Sequence, residues 1–163
     1  MTLNIKINKV PMTLGQELSS EVLESADFKR TGLLKRLINQ QPMDQTVFSG
    51  DDCELEGLDS DLHIYPCTHG YLNQDRQWRT KATLYLKNDR LLRILFQVVD
   101  GQTAALNFVQ RFETAAGKAI GQPYAQDQHS TRWRAHDTHL ETLLYPDRFN
   151  ADFIIENNEK TED

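Results

Sequence analysis

The sequence predicts an α+β fold, a mainly antiparallel sheet built from two hairpins plus edge strands, with a long helix on one face. Three observations carry this. Residues 78–99 and 130–145 each read as two alternating apolar/polar runs around a turn signal, which makes two hairpins. Residues 102–120 repeat apolar side chains at helical spacing. Strands that follow one another in hairpins pair antiparallel, and an amphipathic helix must bury its stripe against such a sheet.

The first element is a half-buried strand over residues 3–10. Leu3, Ile5 and Ile7 alternate with Asn4, Lys6 and Asn8, and Pro11 closes the run. Residues 13–26 are mainly irregular. Ser19 or Ser20 can cap a short helix there, but Gly15 and the serines disfavour it. A second helix is expected from about Phe28 to Gln40, capped by Asp27. Leu33, Leu34, Leu37 and Ile38 form its stripe, and Pro42 bars continuation. Thr46–Phe48 is a weak strand, and Leu62–Tyr65 is another that stops at Pro66.

The 78–99 hairpin can be registered by parity. A two-residue loop at Asn88-Asp89 would mix charges into both faces. An odd loop around Asn88–Arg90 pairs Leu84 with Ile94 and Ala82 with Phe96, and it separates apolar from polar side chains. A one-residue slip flips every side chain, so burial selects the segregated register. One face then holds Ala82, Leu84, Leu86, Leu92, Ile94, Phe96 and Val98. The other holds Arg79, Lys81, Tyr85, Arg93 and Gln97, with Leu91, Leu95 and Val99.

The helix from about 102 to 120 buries Ala105, Phe108, Val109, Phe112, Ala116, Ala119 and Ile120, and Gly121 and Pro123 stop it. In the 130–145 hairpin an even loop at His136-Asp137 pairs Trp133 with Leu140 and Thr131 with Thr142. On the other face it sets Arg132 against Glu141 and Arg134 against His139. Asp152–Ile155 is a last short strand.

Composition bounds the rest. The 163 residues carry 18 Lys+Arg against 24 Asp+Glu, a net charge of -6, with 39% apolar residues. This excludes a collagen, a coiled coil and a disordered chain. No stretch reaches the roughly 18 apolar residues of a spanning helix. The length fits one domain over residues 1–155, followed by a disordered acidic tail over 156–163. Two cysteines make no disulfide framework, and the N-terminus has no signal-like apolar core, so a cytoplasmic protein is expected. The charge is uneven. Residues 51–61 hold six acids and no base, the tail has a net of -3, and the remaining body is therefore near +3.

Two surfaces emerge as candidates. If both hairpins share a sheet, Arg79, Lys81, Arg93, Arg132 and Arg134 face one way with Tyr85 and His139. Arginine forks match carboxylate and phosphate geometry, so this face suits an anionic ligand. The bland reading is a solvated face of cross-strand ion pairs. Nucleic acid is disfavoured, because only Tyr85 offers a stacking ring there. The second surface is the acidic segment Asp51, Asp52, Glu54, Glu56, Asp59 and Asp61, which would steer a basic protein partner.

Metal and catalytic signals are weak. Cys53, His63, Cys67 and His69 lack the tight knuckle of a structural zinc site, so no metal or other cofactor is expected. Asp52 to Gly57 imitates half of a calcium loop, but His63 stands where the bidentate Glu is required. His136-Asp137-Thr138-His139 has the composition of a turn. There is no HExxH, GxSxG or Walker loop. The expected function is a non-catalytic binding module for a macromolecular partner, of the acidic inhibitor or immunity type. The alternative is a small-molecule site or enzyme on the arginine face. A third reading is a structural subunit with a dimer seam at Leu91, Leu95, Val99 and Leu143.

Overall fold

A computed structural model describes residues 4–38, 40, 44–59, 62–64, 79–98, 102–135, 138–145 and 150–157. The element order is β1 (Ile5–Ile7), β2 (Val10–Pro11), α1 (Ser20–Ser25), β3 (Lys29–Arg30), α2 (Leu33–Ile38), β4 (Thr46–Asp51), β5 (Leu55–Gly57) and β6 (His63–Ile64). Then come β7 (Thr80–Lys87), β8 (Arg90–Val98), α3 (Gln102–Ala119), β9 (Ala125–Gln126), β10 (Ser130–Ala135), β11 (Thr138–Tyr145) and β12 (Asn150–Asn157). Two antiparallel sheets result. The larger has the order β3-β4-β7-β8-β12-β11-β10-β9, and the smaller has β2-β1-β5-β6. The α+β class expected from the sequence is the class observed.

The register of both hairpins follows from side-chain alternation. Ala82 pairs with Phe96 and Leu84 with Ile94. Trp133 pairs with Leu140, Arg132 with Glu141 and Arg134 with His139. One detail differs. The β7–β8 loop is the two-residue Asn88-Asp89, and the odd residue is Leu92, a bulge between the Tyr85/Arg93 and Leu86/Leu91 pairs. Asn88 (φ 53°) and Asp89 (φ 63°) both take the left-handed conformation that a tight twisted hairpin requires. Asn and Asp tolerate it without glycine. The bulge also exchanges two leucines: Leu91 faces the core, fully buried, and Leu92 is only half-buried. Leu91 therefore cannot belong to an outer dimer seam.

The N-terminal third departs further from expectation. Leu3 of the expected strand lies outside the described residues, and residues 4–10 are not one strand, because Asn8 (φ 51°) and Lys9 (φ 69°) fold β1 back onto β2. The Ser19 hydroxyl accepts from Val22 N at 3.2 Å and caps α1, so a helix forms where mainly irregular chain was expected. The helix from Phe28 to Gln40 shrinks to α2. Asp27 lies at φ 70°, outside the extended region an N-cap occupies, and Phe28 is drawn into the core at 1% exposure. Lys29–Arg30 then pairs with β4, while Leu37 (55%) and Ile38 (70%) are exposed.

The remaining correction concerns the C-terminus. The expected short strand Asp152–Ile155 is eight residues long and central, with β12 paired to both β8 and β11. Glu156 and Asn157, assigned above to a disordered tail, belong to it.

One face of the large sheet holds the rows Phe48–Leu84–Ile94–Ile155–Leu140–Trp133 and Gly50–Ala82–Phe96–Phe153–Thr142–Thr131. Helix α3 lies across β8, β12 and β11 and buries Phe108, Phe112, Ala115 and Ala116 there. The side chains Ile5, Ile7, Leu55 and Ile64 of the small sheet join the same apolar cluster. Among the described residues, no helix is long and apolar enough to cross a membrane.

Candidate functional site

The opposite face of the large sheet carries the charged groups. Because β12 joins the hairpins, one row runs Val47–Tyr85–Arg93–Glu156–His139–Arg134. The next runs Ser49–Thr83–Leu95–Ile154–Glu141–Arg132, and the third Asp51–Lys81–Gln97–Asp152–Leu143–Ser130. Arg93 and Arg132 thus share a face, as alternation requires. The face is not a cationic sheet, however. β12 inserts Glu156 and Asp152 between the hairpins. The Arg93 Nε lies 3.4 Å from Glu156 Oε1, and Gln97 Nε2 donates to Asp152 Oδ1 at 3.1 Å. Arg93 also lies over the Tyr85 ring at 5.2 Å. Lys81 stands opposite Asp51 and is exposed, and exposed Arg79 precedes β7. The β7–β8 half of this face is therefore internally matched in charge.

At the β9–β10–β11 end Arg132 is also matched, 4.0 Å from Asp127 Oδ2, but an aromatic ring joins the cluster. Tyr124, next to β9, donates its N–H to the Arg132 carbonyl at 2.9 Å, which fixes it beside β10. Its hydroxyl lies 3.4 Å from His139 Nδ1, and His139 Nε2 lies 3.2 Å from Glu141 Oε1. One proton arrangement satisfies all three: tyrosine O–H into Nδ1, and Nε2–H into the carboxylate. Glu141 also receives Arg132 Nε at 3.4 Å. Arg134 is exposed, with its guanidinium 4.4 Å from the Tyr124 ring centre. Among the described residues, Arg134 rests on this ring rather than on a carboxylate. His139 and Glu141 side chains are only 13% and 17% exposed, whereas Arg132 is 41%.

Asp127 shapes the approach to this end. Its Oδ1 accepts from His129 N and Ser130 N, both at 2.9 Å, and its Oδ2 accepts from the Ser130 hydroxyl at 3.1 Å. These donors, His129 N first, with Arg132 adding to them, hold its carboxyl below the usual range. This bond set turns the chain from β9 into β10.

The acidic segment is organised rather than open. Asp59 Oδ1 accepts from Leu62 N at 2.9 Å, and its Oδ2 lies 3.7 Å from Lys118 Nζ. Glu54 contacts His63, Asp51 is opposite Lys81, and Asp52 is an exposed turn residue at φ 56°. Asp61, Cys67, His69, Trp78, Val99, His136 and Asp137 lie outside the described residues.

Cys53 is a core residue, fully buried where β4 turns into β5. Burial pushes its thiol up to about 11, against an opposing hydrogen bond from Asn8 Nδ2 at 3.6 Å. A raised thiol pKa favours folding below pH 9.0, and that contribution is lost as pH rises toward 11. At pH 8 ionisation alone should slow its alkylation about 100-fold relative to a free thiol. Thiol titration of the native and unfolded chain measures this, and equal rates would contradict it.

Tyr124 is the site residue that alternation alone does not reach. It lies outside both hairpins, and its only sequence signal is an aromatic just after the helix-stopping Pro123. Compared with known proteins, the chain gives no significant match to a family model, to a curated protein or to a solved structure.

Proposed function

We propose that the protein binds a small anionic ligand, a phosphate or carboxylate, at the β9–β10–β11 end of the large sheet. One observation carries the reading: exposed Arg134, held over Tyr124, stands directly across from His139 and two residues from Arg132 on the same face. The Arg134 fork would then take the anion, with the partly exposed Arg132 guanidinium as the second cation on the same face. The ring orients Arg134 before any ligand arrives, which reduces the ordering cost of binding. Glu141 holds Arg132 and His139 in place. The arrangement is suited to binding.

A macromolecular partner at the acidic segment is the second reading. Its support is exposed Asp52 with half-buried Glu54 and Glu56 close by in the chain. The internal partners of Asp51, Glu54 and Asp59 weigh toward the anion site instead.

Thermal unfolding with inorganic phosphate, pyrophosphate and citrate tests the first reading, against chloride at equal ionic strength. A ligand at ten times its Kd stabilises by about 1.4 kcal/mol, or about 3–5 °C for a chain of this size. Arg132→Ala with Arg134→Ala should abolish the shift. No shift at 10 mM, or an equal shift in the double variant, would contradict the proposal.

A further inference from the structure

The small sheet gathers a second constellation, independent of the anion site. Glu56 lies in β5 and Glu54 immediately precedes that strand, and a carboxylate oxygen of each lies within 4.8 Å of the other. His63 is the cross-strand partner of Glu56 and shares its face of the sheet. On the other face Leu55 pairs with Ile64, and both are fully buried. The strands carrying Glu56 and His63 are therefore anchored from behind.

Glu54 is held more firmly still. Asn8, in the left-handed turn between β1 and β2, donates its N–H to the Glu54 carbonyl at 2.8 Å. Its Oδ1 accepts Glu54 N at 2.9 Å, and its Nδ2 donates to the Ala26 carbonyl at 2.8 Å. The three side chains are half-buried, with Glu54 at 22% and His63 at 31% exposure. One donor atom from each lies within 4.8 Å of the others, and His63 Nε2 is in direct contact with Glu54 Oε2.

We propose that Glu54, Glu56 and His63 form a site for one divalent first-row transition-metal ion, of the zinc type. Two carboxylates supply the charge that balances a dication. The imidazole selects against magnesium and calcium, which take oxygen ligands. Ligand atoms in a tetrahedral zinc shell at about 2.1 Å stand about 3.4 Å apart, so small rotations of flexible glutamate side chains close the site. Three protein ligands leave a fourth position for water or a substrate atom, as in open rather than structural zinc sites. Lys6, the exposed cross-strand partner of Glu56 on β1, is the opposing cation on this face and limits the affinity.

Calorimetry on the full chain, stripped with EDTA and titrated with zinc chloride, tests the site. One ion should bind per chain at micromolar concentration, while magnesium and calcium at the same concentration give no binding heat. His63→Gln and Glu56→Gln should each weaken zinc binding at least tenfold. Unchanged affinity in both variants would overturn the proposal. So would the absence of saturable binding up to 1 mM. A measurement that needs no variant is the cobalt(II) spectrum of the native chain. Nitrogen and oxygen ligation without a thiolate charge-transfer band is expected, and a thiolate band would assign the ion to cysteine and overturn the site.

Discussion

Gly57→Ala should lower the unfolding free energy by about 2–5 kcal/mol, combining a strained backbone with forced overpacking. Gly57 sits at φ +136°, a conformation L side chains rarely adopt. A Cβ there would stand 2.0 Å from the Asn4 carbonyl oxygen and 2.7 Å from Ile5 Cα. Both neighbours are backbone of the adjacent strand, so neither can swing aside as a side-chain tip would. The pairing of Ile5 with Gly57 must open, and the Leu58 N–H that donates to Asn4 O at 2.6 Å is displaced with it. Urea unfolding measures the loss. A change below about 0.5 kcal/mol, the range of ordinary surface substitutions, would show that β1 and β5 do not approach this closely.

Phe112→Ala should cost about 3–5 kcal/mol and lower the melting temperature by about 10 °C or more. Phe112 is fully buried on α3 between the helix and the sheet. Its ring centre lies 6.0 Å from that of Phe108 and 6.4 Å from that of Trp133, and Phe108 continues the chain of rings to Phe96 at 6.0 Å. Truncation leaves a void lined by large rigid rings, which relax little to fill it. Phe112→Leu should recover most of the loss, since it restores most of the volume. A melting temperature unmoved by the alanine variant would mean that α3 does not lie on this sheet.

What could be read from the sequence was set by local alternation. In residues 130–145 the apolar and charged sets separate cleanly, so one register was favoured by every pair and is the one observed. In residues 78–99 parity required an odd residue somewhere between Leu84 and Ile94. It could not say whether the loop or a bulge would hold it, and the bulge at Leu92 is what reverses Leu91 and Leu92. Arg132, Arg134 and His139 were legible for the same reason.

The misreadings come from long-range pairing. Asn150–Asn157 has no local signal for lying between two hairpins, and its flanking acids resemble a solvated tail. Placing it centrally brings Glu156 to Arg93 and Asp152 to Gln97, which changes the charge of the whole face. The 28–40 segment failed through a tertiary override. Its helical spacing is real, but burying Phe28 and pairing Lys29–Arg30 with β4 leave a single short helix.

The proposed anion site can be tested atom by atom. Arginine side-chain NMR of the native chain, titrated with pyrophosphate, reports on each Nε–H separately. Saturable shifts at Arg132 and Arg134, sharing one dissociation constant with the His139 ring signals and leaving Arg90 and Arg111 unmoved, are the predicted result. Uniform drift of all arginines with ionic strength, or shifts confined to residues away from Tyr124, would contradict the site.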